Sequence, residues 1–159
     1  KSLYPEARII GFEPDPQLYQ ILTNNISEFS LHNVEIFEKA IWIENAKDMP
    51  FQRDMGWGGK LTEYPTSKST VLVDTLRLKD LISQQIDLLK VDIEGAEFEV
   101  FTDIQHHLDF INSIFVEYHG KAGESQKLGQ LLNILQNAHF RYYIKEAKSI
   151  RHPFVKPTN

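Results

Sequence analysis

Leu88-Leu89-Lys90-Val91-Asp92-Ile93-Glu94-Gly95-Ala96-Glu97 is an apolar run that stops at an acid, meets a glycine and passes at once into helical periodicity. A strand buried on both faces and ending at a turn into a helix has this form. Alternation puts Lys90 and Asp92 on one face and Leu89, Val91 and Ile93 on the other. In open α/β sheets ligands bind beyond the carboxyl ends of the strands, which is where Asp92 and Glu94 stand. Each acid has a second use there, as the cap of the following helix. The other strand ends bear on the choice.

Upstream, residues 7–12 are a short apolar run closed by Glu13-Pro14-Asp15-Pro16. Pro14 biases Glu13 toward extended geometry; Asp15 suits an N-cap and Pro16 the first helical position. The spacing of Leu18, Ile21, Leu22, Ile26 and Phe29 then predicts an amphipathic helix. Residues 34–42 return to strand character, so strand, helix and strand make a βαβ unit with parallel strands. Residues 44–69 are polar, carry Met55-Gly56-Trp57-Gly58-Gly59-Lys60 and show no helical stripe. They read as an insertion, a hairpin or a flap. Residues 70–74 predict a further strand and 76–82 a short helix.

Downstream of the opening stretch, Phe98, Phe101, Ile104 and Leu108 form the buried stripe of a helix. His106 and His107, near its end, suit the helix dipole and receive no catalytic role. Residues 113–119 predict a buried strand, 125–138 a helix presenting Leu128, Leu131, Leu132 and Leu135, and 139–145 an edge strand. The tail from Lys148 has room for one more. Strands alternating with helices imply an α/β domain with a mainly parallel sheet and helices on both faces.

The 159 residues suffice for one domain, 1–159, with a real core. Apolar residues at 42% and charged residues at 25% are those of a soluble globular chain. A net charge of -5 argues against a nucleic-acid partner. No apolar run approaches the roughly 18 residues of a membrane span. Residues 1–8 lack the apolar core of a signal peptide, and there is no cysteine for disulfides. Together these point to the cytoplasm.

Three buried strands end in acids: Glu13, Asp92 and Glu117, the last followed by His119. A carboxylate closing the strand of a first βαβ unit can accept hydrogen bonds from both hydroxyls of a nucleotide ribose. The phosphate-cradling Gly-x-Gly-x-x-Gly run is absent. Two other readings stay open. Asp92, Glu94, Glu117 and His119 could ligate a divalent metal in a hydrolase, although no Asp-x-Asp or His-x-His spacing supports it. A non-catalytic α/β binding module would keep the sheet without the chemistry.

Four segments carry a resemblance: Gly11-Phe12-Glu13-Pro14-Asp15-Pro16, Glu38-Lys39-Ala40-Ile41, residues 89–97 as quoted, and Val116-Glu117. From about Ala7 to Gly120 the chain resembles the FkbM-type methyltransferases, S-adenosylmethionine-dependent enzymes with the Rossmann-like class I methyltransferase fold. The resemblance implies that Glu13 holds the cofactor ribose, that Lys39, Ala40 and Ile41 border its adenine, and that Asp92 and Glu94 face the methyl-transfer site. Asp92, Glu94 and His119 are then the candidate bases, Asp92 first, with no metal assigned. The implied acceptor is a small-molecule or sugar hydroxyl. Val73-Asp74-Thr75-Leu76 matches the family's Thr-Leu-Asp element imperfectly, since Arg77 stands where the acid is expected. Such a fold opens with a strand and a glycine-rich turn that this chain does not show. That strand would lie between those ending at Glu13 and Asp92. Without it those two strands are expected to pair with each other, to receive a strand from another chain, or to be joined by a segment outside this sequence. Weak or no cofactor binding is expected of the 159 residues alone, with recovery when upstream residues are restored.

Overall fold

The computed structural model describes residues 3–53, 59–65, 69–120, 123 and 125–145. The opening stretch forms β8 (Ile86–Val91), the elements being numbered β1–β9 and α1–α3 in chain order. It runs parallel to β9 (Ile111–Val116), in a register that pairs Val91 with Val116. Between them lie α2 (Glu97–Ile104) and a 3-10 turn at Gln105–Phe110. Val100, Phe101, Ile104 and Leu108 recur at helical spacing and are almost wholly buried. With Ile111 and with Leu131 and Leu135 of α3 (Leu128–Asn137) they form the main core. Burial of this kind is worth about 1.5–3 kcal/mol for each large apolar side chain, so this half of the molecule is the stable floor.

The first βαβ unit comprises β1 (Ile9–Phe12), α1 (Pro16–Glu28) and β2 (Val34–Phe37), with β1 and β2 parallel. Asp15 caps α1, its Oδ1 accepting from the amides of Gln17 at 2.8 Å and Leu18 at 3.4 Å, with Pro16 just inside the helix. The apolar stripe is present but covers little: Ile21 is 50% exposed and Phe29 69%.

Short strands join the two halves. β3 (Ala40–Trp42) pairs in parallel with β7 (Thr75–Arg77). β4 (Met49–Arg53) lies antiparallel between β5 (Gly59–Leu61) and β6 (Thr70–Val73). Ala40, Phe51 and Val73 form a second, small core. A side chain at Gly59 would collide, since its Cβ would lie 2.5 Å from the Phe51 ring and 2.8 Å from the Gln52 carbonyl oxygen.

Several expectations change. The described strands fall into four short sheets, three parallel pairs and one three-stranded antiparallel ribbon, not hydrogen-bonded to one another as one continuous parallel sheet. β1 and β8 lie in different sheets and do not pair with each other. Residues 34–42 make two strands, because the charged Glu38-Lys39 step interrupts the run and the Ala40 amide turns to the Asp74 carbonyl. Residues 75–77 are strand where a helix was predicted to begin at 76; only Leu78–Leu81 turns, as a 3-10 helix. The Thr75 hydroxyl donates to Glu44 O and accepts from Ala46 N, and Asn45 Oδ1 accepts from Arg77 N, which holds that segment extended. The edge strand predicted over 139–145 does not form: His139 takes the left-handed conformation (φ 64°) that ends α3. There the amides of His139 and Phe140 bond back to Gln136 O and Leu135 O, a Schellman-type stop. The strand expected after Lys148, and most of the 55–60 turn, lie outside the described residues.

Candidate functional site at the ends of β8 and β9

Parallel register brings the ends of β8 and β9 side by side, and the Glu117 amide continues the ladder to Val91 O at 2.9 Å. Beyond β8 the chain turns through Glu94 (φ 55°) and Gly95 (φ 102°) into α2. Neither Asp92 nor Glu94 caps that helix, whose N-cap position, Ala96, has no side-chain hydrogen bond. Both acids face outward, their side chains 33% and 43% exposed.

The organising group is Glu97, which sequence reasoning quoted but gave no role. Its carboxylate is fully buried, and an ion in that position must be satisfied by hydrogen bonds. Oε1 accepts from the amides of Gly95 at 3.0 Å and Ile93 at 3.3 Å, and Oε2 from the amide of His119 at 3.4 Å. Oε1 also lies 3.0 Å from Nδ1 of His119. An ionised carboxylate can only accept, so Nδ1 carries a proton and Nε2 is the nitrogen presented to the site. Nε2 lies 3.7 Å from Glu94 Oε2 and 4.0 Å from both Asp92 Oδ1 and Glu117 Oε1. Burial pulls the His119 pKa down, but the hydrogen bond to Glu97 and the charges of Glu97, Glu94 and Asp92 outweigh it and hold it above the ordinary value. The Lys90 ammonium, 3.0 Å from Asp92 Oδ2, offsets part of this negative charge.

The spacing of Glu97 does carry a signal. It shares a stripe with Val100, Phe101 and Ile104, and an acid on a buried stripe requires partners.

Glu13 ends β1 in a second cluster, its amide bonded to Phe37 O at 3.1 Å. Its Oε1 accepts from the Asp15 amide at 2.8 Å. Burial raises the Glu13 pKa, the Asp15 amide lowers it, and the Asp15 charge raises it again; the net shift is upward. Asp15 itself is raised by burial, but Arg53 and the two capped amides prevail and hold it below the usual range. Arg53 Nε sits 2.5 Å from Asp15 Oδ2 and its Nη2 2.5 Å from Gln17 Oε1, so the end of β4 is docked onto the start of α1 beside Glu13. No sequence pattern announced this contact across 38 positions.

The structure thus gathers Asp92, Glu94, Glu117 and His119, and places Glu13 on a different sheet. Ala40 is spent in the second core, Ile41 packs against the main core, and Lys39 is half-buried before β3. Arg77, given no role above, binds Asp103 through Nε at 2.9 Å and Nη2 at 2.5 Å, tying β7 to α2. Beside His119 opens a cleft of about 60 Å³ between the first turn of α2 and Tyr118, Ser125 and Lys127. The ligand atoms of Asp92, Glu94 and His119 lie within 4.8 Å of one another, a spacing that also suits a divalent cation. Among the described residues no helix is long and apolar enough to cross a membrane.

Acids and a histidine gathered where parallel strands end give this α/β protein a candidate ligand site at that edge. The profile of the methyltransferase FkbM domain matches residues 2–142, and the chain belongs to that family. It is 25% identical over 169 residues to "Methyltransferase sdnD" of Sordaria araneosa, covering 83% of this chain and 65% of that protein. It is 26% identical over 151 residues to "Methyltransferase 1" of Beauveria bassiana, covering 78% and 60%. To "2-O-methyltransferase NoeI" of Sinorhizobium fredii it is 28% identical over 138 residues, covering 74% and 56%. The chain therefore spans less than two thirds of the length of these relatives. No solved structure matches it.

Proposed function

We propose that this chain carries the cofactor and methyl-transfer elements of an S-adenosylmethionine-dependent O-methyltransferase acting on a small-molecule or sugar hydroxyl. In this reading β1–β2 and β8–β9 are the two halves of a Rossmann-like parallel sheet, with Glu13 and the Asp92 cluster facing one crevice. The observation that carries the proposal is the imidazole of His119, fixed by buried Glu97 and aimed at strand-end carboxylates, in a chain of this family.

The donor set fits the cofactor. Glu13 keeps Oε2 for a ribose hydroxyl while Oε1 holds the Asp15 amide. The backbone at 39–41 borders the base. Asp92, Glu94 and Glu117 form a negative rim suited to the cationic groups of the cofactor. Bound there, S-adenosylmethionine supplies an electrophilic methyl group. The protein's task is positioning, worth several kcal/mol when the approach is near-attack, and removal of the acceptor proton.

Geometry favours His119 over Asp92 for that proton. Nε2 faces the site and could take the acceptor's hydroxyl proton, with Glu97 stabilising the resulting imidazolium. Because His119 stands above its ordinary pKa, the base must first be neutral, so turnover should rise with pH into the alkaline range.

The test is calorimetry with S-adenosylhomocysteine on the full-length protein. Glu13→Ala should weaken binding by about 1.5–3 kcal/mol, the range for charge-assisted hydrogen bonds, with the fold intact. Unchanged affinity would remove Glu13 from the site. The triad spacing that suits a cation keeps the hydrolase reading alive, and magnesium binding without nucleotide binding would select it.

A further inference from the structure

Arg53 ends β4, on the stretch that the sequence marks as an insertion, yet its guanidinium reaches the start of α1. We infer that Arg53 is a positioning residue for the cofactor ribose: it holds Asp15, and through the Asp15 amide it fixes the carboxylate of Glu13. The inference rests on the methyltransferase reading, because Glu13 is the residue given to the ribose there.

The contacts run in one unbroken line. Arg53 Nε lies 2.5 Å from Asp15 Oδ2 and Nη2 2.5 Å from Gln17 Oε1, so the fork spans both the cap and the first turn of α1. Asp15 Oδ1 is taken by the amides of Gln17 and Leu18. The Asp15 amide in turn donates to Glu13 Oε1 at 2.8 Å, which leaves Oε2 for a hydroxyl. A helix cap does not by itself require a cation, since a neutral serine or asparagine caps as well. Asp15 needs one because only 5% of it is exposed, and a carboxylate so enclosed must be paired. Without Arg53 its charge would stand unopposed beside Glu13, whose ionised form is the one that binds hydroxyls most strongly.

The support behind Arg53 is firm, and it reaches the same site from a second direction. β4 is flanked on both sides, by β5 and β6, and the Arg53 amide donates to Ser69 O at 3.2 Å. On the same strand Phe51 packs with Val73 and with Ala40, the residue that opens β3 and belongs to the stretch set against the base. One sheet thus touches both ends of the proposed nucleoside site. Arg53 braces the ribose carboxylate, and Phe51 braces the wall of the base.

The test measures S-adenosylhomocysteine affinity by calorimetry on the full-length protein, in a double-mutant cycle. Arg53→Met should weaken binding about fivefold or more, the scale of coupling within one hydrogen-bond network. Asp15→Asn, which keeps the helix cap but gives up the charge that Arg53 holds, should weaken it likewise. In the Glu13→Ala background Arg53→Met should cost less than about twofold more, since its route to the ribose has gone. Arg8→Met removes the same charge from the exposed pair with Glu35 and should leave the affinity unchanged. A loss that persists in full without Glu13 would make Arg53 a general prop of the fold and overturn the inference. Unchanged affinity in Arg53→Met or Asp15→Asn, or an equal loss in Arg8→Met, would overturn it too. The Asp15 amide resonance gives a reading that needs no cofactor: Arg53→Met should carry it toward its position in Glu13→Ala. If the natural protein binds no S-adenosylhomocysteine, the methyltransferase reading falls. A displaced Asp15 resonance would then leave the bracing of Glu13 standing, and an unmoved one would end both.

Discussion

Helix α1 has thirteen residues and buries none of them; α2 has eight and buries four. Both carry an apolar stripe of helical period, so the stripe alone does not decide burial. What differs is the layer each stripe meets. α2 lies over β8 and against α3, and Val100, Phe101 and Ile104 are wholly enclosed. α1 keeps Ile21 and Phe29 largely in solvent. The two candidate binding clusters inherit this contrast. His119 is held by a carboxylate rooted in the rigid core, whereas Glu13 stands at the start of a helix tied down by its cap and by Arg53.

The sharpest way to break this comparison is through its strongest contact. Phe101→Ala should cost about 3–5 kcal/mol, the range for emptying a well-packed aromatic site, measured by urea denaturation. A loss below about 1 kcal/mol would mean that the α2 side is not the stable one.

A smaller effect is expected from His119. Its folded pKa is raised, so the stability it contributes is complete below the unfolded value near 6.5. That contribution fades as pH climbs through the raised folded value. The side chain is 29% exposed and its outer partners are screened by salt, so the slope should be modest and shrink at high ionic strength. Denaturation curves between pH 6 and 9 should show this decline in the natural protein and lose it in His119→Asn. A stability that rises over that window would contradict the assigned charge.

The smallest effect belongs to α1. Ile21→Ser, on its exposed face, should change stability by no more than about 0.5 kcal/mol. A cost approaching that of Phe101→Ala would show that the outer face of α1 is covered, and the contrast between the helices would collapse.

Much of the site could be read from the chain because parallel strands in register bring successive strand ends together. Asp92, Glu117 and His119 needed only the βαβ pattern to be placed at one edge. The base was harder to choose. On the sequence Asp92 ranks first; that Glu97 orients the imidazole is a relation across 22 positions whose single hint is an acid on a buried stripe. The strand at Thr75–Arg77 escaped because side chains of Asn45 and Thr75 hold it extended, and such bonds leave no periodicity. The separation of the described strands into four sheets was illegible for a related reason: alternation says that a segment is a strand but not which edge is paired.

Glu94 has φ 55°, a left-handed backbone that costs a residue with a side chain roughly 1–2 kcal/mol and that glycine would adopt freely. At such a turn a glycine is the conformationally economical choice, and the next residue, Gly95, is one. A carboxylate at Glu94 therefore has to be accounted for by what it faces, and it faces Nε2 of His119 at 3.7 Å. The backbone angle thus becomes a measure of the side chain's worth: the turn would form more easily without Glu94, but the imidazole would lose a third of its acidic rim.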